Sequence, residues 1–330
     1  MEPVYDRGVY LAGLDLWLDS RISRACSLIS HAHTDHIGRH WRPIATSDTL
    51  RLLQPIWGKA TPLALEYGQS VDTPMYTLSL HPSGHMLGAA QALVVSKATG
   101  ERLLYTGDLK VRSNPTSRPL EHVACDTLVL DATYGRPCYT FPPEGEVLAQ
   151  MEDTLKSWLA SGHTPVVLGY PRGKAQELLH HLLDRGFSVV VEERVYLAAK
   201  AYEESGVCFP GAYRSFQKDQ AFPLKDGDIL LASTSARRSG LLEGLSRLRL
   251  MSLTGWSVHR NGAHRLSADA ALPFSDHADY NDLVGYVKRV APKRVFTIGS
   301  FPDLAQHLCK LGYEAYHMGL NDPTRQLPLF

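Results

Sequence analysis

The sequence predicts an α/β protein in which a β-rich domain is interrupted by an inserted α/β domain. Three stretches of the 330-residue chain carry this prediction. Residues 1–135 contain short apolar runs separated by turn residues, a pattern typical of strands. In the middle of the chain, strand and helix patterns alternate, as they do in a parallel sheet with crossover helices. After residue 267, strand and helix patterns return.

The β-rich part is predicted from β-branched and leucine-rich runs that are bounded by Gly, Pro, Asp or Ser. The predicted strands are Gly8–Leu11, Leu14–Leu18, Ser27–Ser30, Tyr76–Leu80, Gln91–Ser96, Arg102–Tyr105 and Thr127–Leu130.

The middle part alternates between the two periodicities. The predicted helices are Val147–Ala160, Ala175–Leu183 and Tyr196–Ser205, and the predicted strands between them are Pro165–Leu168 and Ser188–Val191. Pro210–Asp228 is polar and contains several Pro and Gly residues, so we expect a loop there.

The last part predicts helix Tyr280–Val290, strand Arg294–Ile298 and helix Asp303–Leu311. We therefore expect the first domain to comprise residues 1–140 and 266–320. Residues 141–265 would form the inserted domain, and 321–330 would form a C-terminal tail.

The composition is that of a globular protein, with 44% hydrophobic and 21% charged residues. No run approaches the ~18 apolar residues that a membrane span needs, and the acidic N-terminus does not resemble a secretory signal. We expect a cytoplasmic protein without a membrane partner. Because the formal net charge is zero, binding of nucleic acid must depend on a local basic patch or on metal ions.

The densest group of chemically active side chains is His31–His36, directly after a predicted strand. In an extended backbone, His31 and His33 point to the same face, and Asp35 and His36 follow at once. So many polar side chains are not expected in an apolar core, whereas imidazole and carboxylate together suit Zn, Mn or Fe as ligands. The sequence therefore predicts a metal centre at this strand end.

Residues elsewhere in the chain could complete the centre. His85 and Asp108 each follow a predicted strand, and His277 lies just before a predicted helix, where loops commonly carry function. Two ions about 3.5–4 Å apart can hold both oxygens of an in-line displacement at phosphorus. The first predicted site has the ligands His31, His33, His85 and Asp108. The second has the ligands Asp35, His36 and the shared Asp108.

The HxHxDH pattern at His31–His36 resembles the hallmark of the metallo-β-lactamase superfamily, and the resemblance covers nearly the whole chain. It implies an αββα sandwich for the β-rich domain and matches His85 and Asp108 to the later ligand motifs. It also implies an aspartate that orients the metal site from outside the ligand set. Asp15, in the segment Gly13-Leu14-Asp15, resembles that aspartate.

More specifically, the chain resembles the β-CASP nucleases, whose inserted domain begins with a helix like Gly173–Leu179. Asp131 resembles the acid of motif A, and His277 resembles the histidine of motif B. The resemblance implies that His277 protonates the leaving-group oxygen and that Asp131 holds its ring. It also implies a metal-bound hydroxide as the nucleophile, with Asp35 in the catalytic centre.

One motif of the family is missing. RNA-processing members carry a motif-C histidine that ligates the second metal, but here strand Arg294–Ile298 is followed by Gly299. The DNA-directed members also lack that histidine, so the departure favours DNA and weakens the second metal site. The closest resemblance is to the bacterial DNA ligase-associated exonucleases. It implies two divalent ions, Zn or Mn, and a role in DNA repair with a DNA ligase or helicase system.

Two loops of the inserted domain are candidate phosphate contacts. Arg172 and Lys174 precede or begin a predicted helix, whose N-terminus favours anions. Ser233, Thr234 and Ser235 form a second candidate. For each loop, the alternative is an ordinary solvated surface.

The end of the chain resembles the QLxLF peptide that binds the bacterial sliding clamp. Gln326 and the apolar residues Leu327, Leu329 and Phe330 could enter a groove on that partner. The alternative is that these side chains cover an apolar patch on their own domain.

The leading interpretation is a metal-dependent DNA exonuclease. An RNA-processing nuclease of the same architecture is one alternative, and Gly299 argues against it. A non-catalytic scaffold for nucleic acid or the clamp is another, and the complete ligand set argues against it. A small-molecule hydrolase is a third, and the inserted domain with the pair Asp131 and His277 argues against it.

Overall fold

The computed structural model describes residues 1–56, 58–216, 224–258 and 267–318, which form two compact units. One unit contains Met1–Cys138 and the described residues from His277 onward, and the other contains the described residues from Tyr139 to Asp276. The second unit is therefore an insertion in the first. The tail residues Gln326, Leu327, Leu329 and Phe330 lie outside the described residues, so their clamp-binding role stays a prediction.

The helices of the described residues are distributed over both units. They are α1 (Ser47–Leu52), α2 (Glu144–Ala160), α3 (Lys174–Asp184), α4 (Glu193–Glu204), α5 (Tyr280–Val290) and α6 (Asp303–Lys310). Within the described ranges, none of the helices is both long enough and apolar enough to cross a membrane.

The first unit contains two sheets. In spatial order, the first sheet is β1 (Pro3–Tyr5), β2 (Val9–Leu11), β3 (Leu16–Leu18), β4 (Cys26–Leu28), β5 (Arg42–Ala45) and β6 (Leu63–Ala64). In the same order, the second sheet is β19 (Glu314–His317), β18 (Arg294–Ile298), β11 (Thr127–Asp131), β10 (Arg102–Tyr105), β9 (Ala90–Ser96), β8 (Tyr76–Pro82) and β7 (Ser70–Asp72). Strands β10, β11 and β18 are parallel to one another.

The two sheets pack face to face through one apolar core. Leu18 and Leu28 of the first sheet and Leu80 of the second are fully buried members of this core. Buried and half-buried residues alternate along β8, as expected for a strand with one face in a core. The opposite face of the second sheet packs against α5 and α6 through residues such as Leu283 and Leu304. The first unit is thus a β-sandwich with helices on an outer face.

The inserted unit is built on a parallel sheet. In spatial order its strands are β14 (Tyr213–Phe216), β13 (Ser188–Glu192), β15 (Asp228–Ser233), β12 (Thr164–Gly169), β16 (Leu248–Leu253) and β17 (Ala270–Leu272). Helices α2, α3 and α4 cover one face of this sheet, and a second apolar cluster covers the other. Burial on both faces explains why the central strands are continuous apolar runs.

The structure differs from the sequence prediction at two places in this unit. The predicted loop Pro210–Asp228 contains β14, which pairs with β13. The unit also extends to Asp276 rather than to residue 265, because β17 pairs with β16. Both strands lie at the edges of the sheet, and each is short, so neither produces a strong periodic signal.

Candidate metal centre

The predicted metal ligands come together in the first unit, in loops that follow strands. His31 and His33 follow β4, His85 follows β8, and Asp108 follows β10. Their ligand atoms all lie within 4.8 Å of one another, and all four residues are buried. The structure therefore brings the first predicted ligand set together.

Asp108 lies between two groups of histidines. Its Oδ2 is 3.4 Å from Nε2 of His31 and 3.8 Å from Nε2 of His85. Its Oδ1 is 3.4 Å from Nε2 of His36, and Asp35, whose side chain is largely exposed, is 3.8 Å from the same nitrogen. The two oxygens of Asp108 thus face the two predicted sites separately, which is the arrangement that a bridging ligand requires.

The hydrogen bonds of His31 leave one ring nitrogen suited to a metal ion. The hydroxyl of Ser30 donates to Asp19 at 2.5 Å and lies 2.9 Å from Nδ1 of His31, so it accepts the proton of that nitrogen. Nε2 of His31 then carries a lone pair, is buried and has no hydrogen-bond partner among the described residues. Such a nitrogen costs free energy unless a partner satisfies it, and a divalent cation fits this donor set.

The carboxylate that orients this centre is Asp19. Its Oδ1 accepts the backbone N–H of Ser30 at 2.6 Å. Its Oδ2 accepts the Ser30 hydroxyl at 2.5 Å, Nδ1 of His36 at 2.8 Å and the Tyr105 hydroxyl at 2.8 Å. Burial would raise the pKa of Asp19, but His36 and these hydrogen bonds lower it below its ordinary value. Asp19 therefore stays ionised and keeps the proton of His36 on Nδ1, so that Nε2 faces the centre.

The prediction of Asp15 for this position is wrong. Asp15 is exposed, accepts a hydrogen bond from the Tyr10 hydroxyl at 3.0 Å and has a left-handed backbone with φ of 48°. Asp19 directly follows β3, in the same relation to a strand as the metal ligands. The strand-end criterion that identified those ligands would also have identified Asp19.

The charged groups of the centre shift one another's pKa. Burial would lower the pKa of His36, but Asp108, Asp35 and Asp19 raise it to about 10. Burial would raise the pKa of Asp108, but His36 and His277 hold it well below its ordinary value. In the metal-free protein His36 is therefore protonated at neutral pH. A divalent cation that binds there must displace that proton.

The predicted motif-A and motif-B residues lie beside the metal ligands. Nδ1 of His277 is 3.1 Å from Oδ2 of Asp131, and Nε2 of the same ring is 3.7 Å from Oδ2 of Asp108. The other oxygen of Asp131 accepts the backbone N–H and the hydroxyl of Thr133 at 2.9 and 2.7 Å. These bonds fix the Asp131 carboxylate, which in turn orients the His277 ring toward the centre.

The loop that follows β10 is tied to the start of α5. The N–H of Ala278 donates to the carbonyl of Leu109 at 2.7 Å. The Arg112 guanidinium contacts Asp279 at 2.8 Å and Asp282 at 3.3 Å. These contacts hold the loop with the bridging carboxylate against the segment with the motif-B histidine. The sequence suggests Arg112 only as a substrate contact, because it closely follows Asp108; its ion pairs were not predicted, because Asp279 and Asp282 are remote in the chain.

Two glycines allow close approach of the backbone around the centre. Gly107 has φ of 53°, and a Cβ there would lie 2.6 Å from the Ser30 hydroxyl. A Cβ at Gly299 would lie 2.3 Å from the carbonyl oxygen of Ala132. A histidine at position 299, where the motif-C ligand would stand, would therefore require the backbone to move.

Lys174, a predicted phosphate contact, is engaged inside the inserted unit. Its Nζ is 3.0 Å from Oδ1 of Asp276, and both side chains are nearly buried. This carboxylate neutralises the charge that was expected to meet phosphate, and the role of Lys174 stays a prediction. Arg172, the other predicted contact here, is half-buried just before α3.

The other predicted phosphate loop is only partly accessible. Ser233 is buried, and its N–H donates to Oε2 of Glu192 at 2.6 Å. That amide is engaged and the carboxylate beside it repels anions, so only the hydroxyl of Ser233 is left for the predicted phosphate contact, which stays a prediction. Thr234 and Ser235 are exposed, and the Ser235 hydroxyl lies 2.8 Å from that of Ser233.

One domain family and several known proteins are similar to this chain. The family model described as "Zn-dependent metallo-hydrolase RNA specificity domain" matches residues 270–319. A protein of Opitutus terrae named "Probable DNA ligase" is 33% identical over 96% of this chain and 31% of its own length. The "Transcription termination factor FttA" of Methanocaldococcus jannaschii is 24% identical over 80% of this chain and 56% of its own length. The "RNase J-like protein" of the same organism is 22% identical over 80% of this chain and 78% of its own length. This chain thus spans about a third and about half of the first two relatives.

Proposed function

Because the chain belongs to the metallo-β-lactamase-fold β-CASP nucleases, a group of metal-dependent hydrolases, we propose that it is a DNA exonuclease in DNA repair. The observation that carries the proposal is the position of His277. Asp131 holds one nitrogen of its ring, and the other nitrogen is 3.7 Å from the metal-facing Asp108. This position beside the metal ligands supports His277 as the proton donor to the leaving group, a role by which a positioned imidazole accelerates hydrolysis.

Two divalent ions, Zn or Mn, fit the ligands of the centre. The first would be held by His31, His33, His85 and Asp108. The second would be held by Asp35, His36 and Asp108. When bound, such ions neutralise charge on the phosphate and make a coordinated water acidic enough to act near neutral pH. The second site has fewer ligands, because Gly299 stands where a further histidine would be expected.

The protein's own groups supply orientation and the proton. Asp19 and Ser30 fix the tautomers of the ligand histidines, so that lone pairs face the centre. His277 carries a proton on Nε2 and transfers it to the departing oxygen. Asp131 keeps the other proton on Nδ1 and stabilises the positive charge of the ring before the transfer.

Two observations support DNA as the substrate. The similarity to the Opitutus terrae protein named "Probable DNA ligase" covers 96% of this chain, and processing of DNA ends is a natural step before ligation. Gly299 stands where RNA-processing members have a histidine. An RNA nuclease is the alternative, favoured by the matched RNA specificity domain and by the relative named "RNase J-like protein".

The exonuclease proposal is tested with DNA strands labelled at the 5′ end or the 3′ end. After metal removal, the protein is supplied with Mn, Zn or Mg, and products are resolved by length. We expect stepwise shortening from one end, and no cleavage by the Asp108→Ala variant. Products cut first in the interior of the strand would contradict an exonuclease, and no cleavage with any metal would favour the scaffold alternative.

The role of His277 is tested by changing the leaving group. His277→Ala should slow cleavage of an ordinary phosphodiester by roughly 10²–10⁴-fold. The matched control is His122→Ala, which removes an exposed histidine and should leave the cleavage rate unchanged. A substrate with sulfur in place of the bridging oxygen has a leaving group that needs no proton. His277→Ala should therefore cut it nearly as fast as wild type does. An equal loss on both substrates would remove His277 from the acid role.

A further inference from the structure

A basic groove with an exposed aromatic ring lies on the first unit. Arg24, Arg39 and Lys59 line it together with Trp41, and none of its described lining residues is acidic. Trp41 is open to solvent, with 64% of its surface exposed. In a chain with a formal net charge of zero, this is a local concentration of positive charge around a flat apolar surface.

The two walls of the groove are hydrogen-bonded to each other. One wall is Ser23–Ala25 and the other is Arg39–Trp41, and backbone groups connect them. The N–H of Arg24 donates to Nδ1 of His40 at 3.2 Å, and the N–H of Trp41 donates to the carbonyl of Arg24 at 3.1 Å. Burial lowers the pKa of His40, which keeps its ring neutral and able to accept this bond. Trp41 is thus presented to solvent on a fixed backbone.

Arg24 is also held in place before any ligand binds. Its guanidinium lies over the ring of Trp17 at 3.5 Å, and Trp17 stacks on Tyr10 with ring centroids 4.4 Å apart. Its Nε donates to the Ser20 hydroxyl at 3.3 Å. A cation that is already ordered loses less conformational entropy when it binds an anion.

Both walls of the groove are connected to the metal centre along the chain. One wall leads back to Arg21 and Asp19, and the other leads back to His36; these three residues line the cavity at the centre. From His36 the chain reaches Trp41 within at most about 18 Å, at ~3.3–3.6 Å per residue. Arg39 lies on that path. Arg21 and Arg39 therefore lie in the two chain segments that connect the centre with the groove.

We propose that this groove binds the single-stranded part of the nucleic acid whose end is hydrolysed at the metal centre. Arg39 and Lys59 contact phosphates, and a base stacks on Trp41. Cations beside an exposed aromatic ring are the features by which proteins hold single strands without sequence preference. The choice of nucleic acid as the ligand rests on the proposed function. An acidic protein segment could form ion pairs with the cations, but it would gain little affinity from the exposed indole ring of Trp41.

The test measures binding of fluorescently labelled oligothymidylates of increasing length by anisotropy, in EDTA so that nothing is cut. Trp41→Ala should weaken binding of the longer strands by roughly 5- to 150-fold, the range for loss of one stacked base. Trp41→Phe should restore most of the affinity, because a ring is kept. Leu197→Ala removes another exposed apolar side chain, 61% exposed, and should bind as wild type does.

The cations are tested through salt dependence. Arg39→Ala and Lys59→Ala should each reduce the slope of log affinity against log salt by about 0.7, the value for one phosphate contact of a single strand. Arg289→Ala, an exposed arginine of α5, is the matched control and should keep the wild-type slope. Circular dichroism checks that each variant is folded.

The outcomes separate this inference from the proposed function. If wild type cuts DNA but Trp41→Ala and Arg39→Ala bind long strands as tightly as wild type does, the groove is not the strand site. If wild type binds strands in a Trp41-dependent way but cuts nothing, the groove proposal stands and the nuclease proposal fails. Tighter Trp41-dependent binding of polyglutamate than of oligothymidylate would also overturn the inference.

Discussion

Replacing Asp19 by asparagine tests whether this buried carboxylate controls the metal centre. The carboxylate accepts four hydrogen bonds, three of them at Oδ2. An asparagine amide offers one accepting oxygen and one donating nitrogen. In the wild-type protein, donors of Ser30, His36 and Tyr105 all face a carboxylate oxygen. In either orientation of the asparagine amide, its NH₂ group would face at least one of these donors and could not accept its hydrogen bond. The variant also lacks the charge that keeps the proton of His36 on Nδ1.

The expected effect of Asp19→Asn is a weaker metal site in a folded protein. Loss of a residue that orients ligand histidines costs roughly 10–100-fold in metal affinity, which equals about 1.4–2.8 kcal/mol. Competition with a chromogenic zinc chelator measures this directly. Asp15→Asn is the matched control, because Asp15 is exposed and contacts Tyr10; it should stay within about twofold of wild type.

A milder variant protects this test against misfolding. Tyr105→Phe removes one of the three donors to Oδ2 of Asp19 and should weaken metal binding by less than Asp19→Asn does. The reasoning is refuted if Asp15→Asn loses as much affinity as Asp19→Asn. It is equally refuted if both Asp19→Asn and Tyr105→Phe bind zinc as wild type does.

Three further predictions address the neighbouring groups. Arg112→Ala should lower kcat with little change in metal affinity, because the loop after β10 is then no longer bound to Asp279. Arg112→Lys should recover part of the rate. A loss of metal affinity as large as the loss of kcat would contradict a positioning role. Because the carboxylates raise the pKa of His36 to about 10 in the metal-free protein, this imidazolium stabilises the fold fully below about pH 6.5, and the stabilisation is lost as the pH rises toward 10. Zinc binding at pH 7.5 should therefore release a proton, and calorimetry in buffers of different ionisation enthalpy that finds no release would contradict this. Deletion of Gln326–Phe330 should abolish binding to the bacterial sliding clamp while sparing cleavage of short oligonucleotides, and unchanged clamp affinity would sink that hypothesis.

The parts of the molecule that the sequence predicted well depend on local patterns. Helix α5 and strand β18 have the predicted bounds, Tyr280–Val290 and Arg294–Ile298, because their apolar periodicity is regular. His31–His36 stand out through another local pattern, because several potential metal ligands follow one strand end. The pairing of His277 with Asp131 was expected only from the family resemblance, because no local pattern joins residues so distant in the chain.

The features that the sequence does not predict have a physical cause of the same kind. Lys174 is predicted to contact phosphate because it begins a helix, and no local pattern reveals its ion pair with Asp276, which is remote in sequence. The basic groove was not predicted because Arg24, Trp41 and Lys59 come together only in the fold, and the zero net charge of the whole chain conceals them. Contacts between distant segments decide both cases, and a single sequence does not display them.

The measurement that tests the central claim most directly is the ratio of initial cleavage rates on a DNA strand and an RNA strand of the same sequence and length. Both rates are taken with the metal-reconstituted protein and with its Asp108→Ala variant. If the protein is a metal-dependent DNA nuclease, it should cleave the DNA strand faster than the RNA strand, and the Asp108→Ala variant should lose nearly all cleavage. Faster cleavage of RNA would contradict the assignment of DNA, and wild-type rates in Asp108→Ala would contradict the metal centre itself.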